Sequence, residues 1–230
     1  MLAKALHSTH SLAHIDLSNN IGSRDGSLRC SVSGALDLSK GLGNNHSLRH
    51  VYLGYNGFED EELAVLCSAF EKMPQLEFLS LAGNNCQRLG TRGISGVLMN
   101  HSLLRPPLGI RRIDLSSNPL LNQVSQLTQG LTVSESLLHL DLRNCSLSDH
   151  DAEQLLSAMQ LNFTITSLDL SGNAISLELN CALNAEIEGN NLLLQITHNP
   201  FDCDADSLNA AVKLKLSNDS LSPIFRHTAL

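Results

Sequence analysis

Ile165-Thr-Ser-Leu168-Asp-Leu170-Ser-Gly-Asn173 sets apolar residues at the first, fourth and sixth places of a nine-residue frame, and asparagine at the ninth. The frame returns upstream as Leu12, Ile15, Leu17, Asn20, then as Leu48, Val51, Leu53, Asn56, and as Leu76, Leu79, Leu81, Asn84. It continues as Ile110, Ile113, Leu115, Asn118 and as Leu137, Leu140, Leu142, Cys145, where cysteine takes the ninth place. The frames start 36, 28, 34, 27 and 28 residues apart. Six copies with every anchor filled mark the chain as an array of repeats.

Alternation at the fourth and sixth places is the period of a strand. Leu168 and Leu170 then share one face, and Ser167, Asp169 and Ser171 share the other. Between frames the period changes to that of a helix. Asp60 is expected to cap one whose first turn carries Glu61 and Glu62, with Leu63, Leu66, Cys67 and Phe70 on its buried stripe and Met73-Pro74 at its end. Ser148-x-x-Asp151 reads as a capping box before Ala152, Leu155, Leu156 and Met159, and Leu179, Ala182, Leu183 and Ile187 give a third helical face. Such units bury their apolar faces only by stacking, which predicts an α/β solenoid with one elongated core.

The frame Leu-x-x-Leu-x-Leu-x-x-Asn, the 27- and 28-residue intervals and the intervening helices resemble the ribonuclease-inhibitor-like class of leucine-rich repeats. That resemblance implies an intracellular horseshoe with parallel strands on the concave face and helices on the convex face. Its members include ribonuclease inhibitor, the sensor regions of nucleotide-binding immune receptors, Ran GTPase-activating protein, and ciliary and cytoskeletal proteins. Residues 1–199 are assigned to about seven repeats, the first incomplete, and residues 200–230 to a degenerate final repeat and C-terminal cap or tail. Beyond Asn173 the frame loosens, with Leu194, Ile196 and Asn199 keeping three anchors.

Two insertions lengthen the repeats. Gly22-Ser-Arg24-Asp25-Gly26-Ser is expected to form an exposed excursion before a helix over Val32–Leu42, and Leu104-Arg105-Pro106-Pro107-Leu108-Gly109 a semi-rigid loop before the fourth strand. Residues 1–11 read as the back half of a repeat, so missing repeats or another chain are expected on the N-terminal edge.

Composition narrows the function. The chain carries 15 basic and 23 acidic residues, a formal charge of −8, without a basic run, which argues against a nucleic-acid partner. Polar residues interrupt every apolar stretch, which argues against a membrane span, and Met1–His7 is too short and weakly apolar for a secretory signal. The six cysteines stand singly, without a C-x-x-C pair, and are expected to be reduced packing residues, Cys67 and Cys145 in the core. Asn199-Pro-Phe201-Asp-Cys203 is similar to the opening of the cap of extracellular leucine-rich repeats, but Ala205 stands where a second cysteine is expected. A cytoplasmic location, with or without a link to cytoskeleton or cilium, follows.

The strand alternation also maps a surface. Outward positions are His14, Asp16 and Ser18; His50, Tyr52 and Gly54; Phe78, Ser80 and Ala82; Arg112, Asp114 and Ser116; His139, Asp141 and Arg143; and Ser167, Asp169 and Ser171. Tyr52 and Phe78 are conspicuous in a chain with eight aromatic residues and no tryptophan, and Arg112 extends them: either a binding hot spot or a cross-strand packing pair. The aspartate column, Asp16, Asp114, Asp141 and Asp169, is either an acidic stripe for a basic partner or a solvated face. His14, His50 and His139 share one strand position by repetition, and no metal is assigned to them.

His50, Tyr52, Phe78, Arg112, Asp114, His139, Asp141, Arg143 and Asp169 are thus the candidate protein-binding residues, with Arg24 and Arg105 as loop contacts. No phosphate loop, nucleophile elbow or Cys-His motif supports catalysis, and no cofactor is implied. The sequons Asn45-His-Ser47, Asn100-His-Ser102 and Asn162-Phe-Thr164 fall where helix turns to strand, where Asn and Ser can satisfy backbone groups.

The expected function is a non-enzymatic protein-binding module or scaffold that works through its concave face and two loops. A small-GTPase-activating regulator using Arg24, Arg88, Arg92 or Arg105, or an architectural segment of a ciliary, cytoskeletal or immune-receptor assembly, are the alternatives. The register itself is testable. Leu140→Ala and Leu168→Ala should each cost about 2–5 kcal/mol in denaturant melts through the cavity they leave, and a neutral result at either would show the frame to be misplaced.

Overall fold

The computed structural model describes residues 2–20, 32–104 and 108–198. Strands β1 (His14–Asp16), β2 (His50–Tyr52), β3 (Phe78–Ser80), β4 (Arg112–Asp114), β5 (His139–Asp141) and β6 (Ser167–Asp169) form one sheet in sequence order. All neighbours are parallel and in matched register, Ile15 beside Val51, then Leu79, Ile113, Leu140 and Leu168. Helices α1 (Leu2–Ser8), α2 (Val32–Gly43), α3 (Asp60–Phe70), α4 (Arg88–Ser102), α5 (Val124–Val133), α6 (Asp149–Leu161) and α7 (Leu177–His198) form the second layer, each against the next. Helices pack about 8–10 Å apart and strands about 4.8 Å apart, so the array curves with the strands inside. Close helix approach is visible at Gly130 of α5, where a Cβ atom would fall 2.8 Å from the Ser95 Cα of α4.

The anchors fill the space between the layers: Leu48, Val51, Leu53, Leu76, Leu79, Leu81, Ile110, Ile113, Leu115 and Leu137 are fully or almost fully buried. The helical stripes meet them, with Leu63, Leu66, Cys67, Phe70, Leu155 and Met159 at zero exposure. The two ends differ from the middle. Leu12, Ile15, Leu17, Leu168 and Leu170 are only partly covered, because each has a neighbouring repeat on one side among the described residues, so Leu168→Ala should fall toward the lower end of its range and Leu140→Ala toward the upper.

The ninth-place residues bond inside the coil, as expected. Asn84 accepts the Asn56 and Phe58 N–H groups at 3.2 and 3.1 Å and donates to the Leu53 and Leu81 carbonyls at 3.1 and 2.9 Å. Asn56, Asn118 and Asn173 repeat the arrangement, each tying its own repeat to the preceding one. The residue before each, from Asn19 and Tyr55 through Gly83, Ser117 and Asn144 to Gly172, has a positive φ between 54° and 74°.

Three local expectations are corrected. The N-cap of α3 is Glu59, whose N–H is accepted by Glu62; Asp60 instead caps the next helix, accepting the N–H groups of Gln87, Leu89 and Gly90 at 2.7–2.8 Å. Asn100 does not act at its turn, since it lies on exposed α4 and donates back to Gly96. Leu194 and Ile196 belong to α7, because an apolar residue every third or fourth place favours continued helix over a seventh strand. Ser148 and Asp151 do form the capping box of α6.

His101 takes the place that Asn45 and Asn162 hold in their repeats. Asn45 donates to the Leu6 and Thr9 carbonyls and accepts from Leu48, and Asn162 donates to Leu131 and Ser134 and accepts from Ile165. The larger imidazole spans the Leu104–Gly109 insertion: its Nδ1 accepts the Ile110 N–H at 3.0 Å, so its Nε2 carries the proton donated to the Phe70 carbonyl, also at 3.0 Å. Burial holds His101 below the ordinary histidine value of 6.5, the Phe70 bond opposing weakly. The unfolded chain therefore binds this proton first as pH falls, and stability decreases from about pH 6.5 downward until the folded imidazole also protonates. His101→Ala should be less stable at pH 7.5 and show a smaller loss of denaturation midpoint between pH 7 and 5; an unchanged slope would exclude His101 as the source.

Candidate protein-binding face

Because the strands are in register, equivalent residues of successive repeats stand side by side in rows across the open face of the sheet. The first row is His14, His50, Phe78, Arg112, His139 and Ser167, and the second is Asp16, Tyr52, Ser80, Asp114, Asp141 and Asp169. Eight of the nine predicted concave residues therefore share one surface, and the ninth, Arg143, joins it through its contact with Asp141. Arg24 and Arg105 lie outside the described residues. Arg88 and Arg92 stand exposed on α4, in the helical layer.

At the N-terminal half the rings form a continuous run. His14 meets His50 edge-on with centroids 4.1 Å apart, His50 meets Phe78 at 6.1 Å, and Tyr52 lies tilted on Phe78 at 4.8 Å. The Arg112 guanidinium carbon stands 6.0 Å from the Phe78 ring centre, within cation–π reach. Tyr52, Phe78 and His50 remain partly exposed, so cross-strand packing leaves part of each ring free. Burial, then the neighbouring His14, holds His50 below its ordinary value against the pull of Glu77, and burial with Arg112 does the same for His139.

The C-terminal half is charged. Arg143 grips Asp141, its Nη2 2.7 Å and its Nε 2.9 Å from Oδ2, and reaches Asp169 at 3.5 Å. Asp114 is held by the Ser80 hydroxyl at 2.9 Å and by the Ser116 N–H and hydroxyl at 3.0 and 2.7 Å. The three aspartates and Arg143, with Phe78, Arg112, His139 and Ser167, surround a shallow hollow of about 370 Å³ floored by Leu140.

Two contributors escaped the alternation argument. Tyr55 lies in the eighth place with φ +56°, and its ring covers Gly83, where a Cβ atom would come within 2.2 Å of it. Glycine at the eighth place of the following repeat was the available signal. At the rim, Arg49 pairs with Glu77 on the next repeat, opposite charges at the same place of frames 28 residues apart. Among the described residues no group of three or more His, Cys, Asp or Glu side chains could hold a metal ion, and no helix is long and apolar enough to cross a membrane.

The Leucine Rich repeat family model matches residues 44–67 and 161–178. Centrosomal protein of 78 kDa from Homo sapiens is 27% identical over 157 residues, covering 60% of this chain and 23% of that protein. NACHT, LRR and PYD domains-containing protein 3 from Rattus norvegicus is 31% identical over 141 residues, covering 60% of this chain and 13% of that protein. The chain thus spans less than a quarter of the length of these curated relatives. Among solved structures, a Caenorhabditis elegans tropomodulin C-terminal domain superposes with a TM-score of 0.52 at 12% identity, over 87% of this chain and 99% of that domain, a likeness of fold.

The ring contacts can be weighed directly. A double-mutant cycle on Tyr52→Ala and Phe78→Ala, read in urea melts, should give a coupling of about 0.5–1.5 kcal/mol. Additive effects would mean that the rings do not depend on each other in solution.

Proposed function

We propose that this leucine-rich-repeat protein is a non-enzymatic protein-interaction module of the ribonuclease-inhibitor-like class, engaging its partner through the concave face of the sheet. The observation that carries the reading is the partly exposed aromatic run from His50 through Tyr52 and Phe78 to Arg112 on the strand face of the described repeats. Aromatic residues and arginine dominate binding hot spots because they offer large, rigid contact areas that exclude water and still carry a polar or charged group. The adjoining hollow adds directional charged groups, Asp114, Asp141, Arg143 and Asp169, that fix orientation and reject mismatched partners. A helix in every described repeat supports the class assignment. NACHT, LRR and PYD domains-containing protein 3 names its leucine-rich repeats among other domains of a longer chain, which supports a module over an independent catalyst.

The test is a pull-down from native extract with the intact chain and with a Tyr52→Ala, Phe78→Ala, Arg112→Ala variant whose circular dichroism matches it. A protein retained by the first and lost by the second is the expected result. Equal retention of every protein would move the interaction to the helical face, the loops or the chain ends.

A further inference from the structure

The chemistry of the partner can be read from the same face, on the assumption that the concave-face reading holds. Each aspartate of the second row has a local task. Asp16, Asp114, Asp141 and Asp169 accept, through Oδ1, the N–H two residues on, at 2.9–3.0 Å, and so turn the chain out of each strand. An asparagine carbonyl performs that task equally well, so the negative charge is surplus to the turn. Arg143 offsets Asp141 and reaches Asp169, whereas Asp16 and Asp114 have no ion-pair partner among the described residues. Among the described residues three aspartates, Asp114, Asp141 and Asp169, and two arginines, Arg112 and Arg143, line the hollow, and Asp16 adds a fourth carboxylate at the far end of the row, so the face is net negative beside its aromatic platform. An acidic segment would meet repulsion here, and a neutral one would leave the surplus negative charge unmatched.

We propose that the concave face takes a basic segment of a partner protein, seating a large apolar side chain on Tyr52 and Phe78 and a lysine or arginine in the hollow beside Asp114 and Asp141. Phe78 on β3 and Asp141 on β5 are two strands apart, which sets the two anchors about 10 Å from each other. Residues three apart in an extended segment span about that distance, as do residues seven apart in a helix.

The experiment pans the immobilised full chain with a display library of random peptides and measures the affinity of the enriched sequences. Enriched peptides should pair an aromatic or large aliphatic residue with lysine or arginine and lose affinity with added salt. They should weaken about tenfold on a chain carrying Asp114→Asn and Asp141→Asn, which keeps the turns, and should also weaken on Phe78→Ala. Peptides that need Phe78 but are neutral or acidic, or that ignore the asparagine variant, would overturn the basic-partner inference and leave the concave-face reading intact. Binders indifferent to all of these substitutions, or a library without enrichment, would overturn both.

Discussion

The structure depends on satisfying the backbone groups where each strand turns toward its helix. These groups lie inside the coil, beyond the reach of either regular hydrogen-bond pattern, and leaving them unpaired would cost about 1–3 kcal/mol each. A carboxamide answers the need because it both donates and accepts. The Asn84 oxygen serves N–H groups of the second repeat, while its nitrogen bonds one carbonyl of that repeat and one of its own. Each ladder asparagine is therefore a staple between adjacent repeats as well as a turn residue. The parallel register follows from the same staple, since a one-residue slip would remove both functions at once.

Register is what turns a repeating sequence into a surface. A strand of three residues presents little by itself, but six in matched register place equivalent side chains about 4.8 Å apart along continuous rows. A histidine in one repeat and a phenylalanine in the next thereby become neighbours despite 28 residues of separation, as His50 and Phe78 do. The curvature imposed by the wider helices brings the ends of those rows toward a common centre. The face is consequently assembled from single residues of many repeats, and its chemistry changes along the array from aromatic to charged.

The architecture and the concave rows were legible because both depend on periods of two and about 28 residues, which the anchors display directly. Side-chain pairing along the face was less so. The Arg143 grip on Asp141 needs a rotamer choice that spacing does not determine, and Tyr55 reaches Gly83 only because its backbone adopts a positive φ. Caps that act between repeats were hidden for a different reason. Asp60 sits at the start of its own helix, where local reading assigns it, yet its carboxylate serves the start of the next one. His101 was obscured by the sequon beside it, which drew attention to Asn100 one residue too early.

Cys145 shows how far the staple can be weakened. Burial pushes its thiol up to about 11, so it stays protonated and donates to the Leu115 carbonyl at 3.2 Å, reproducing one bond that an asparagine nitrogen would make. A thiol offers no carbonyl oxygen in return. The Leu120 N–H, whose counterpart Phe58 is received by Asn84, turns instead to the Cys145 backbone carbonyl at 3.1 Å. The chain next to it is diverted accordingly, with Leu121 and Asn122 at φ of 41° and 63°, a pair of left-handed residues found in no other described repeat. Leu121 is left 52% exposed on that diverted turn. The ninth place of one repeat and the loop of the preceding repeat are thus linked, because the acceptor that receives the loop's N–H groups stands in the neighbour.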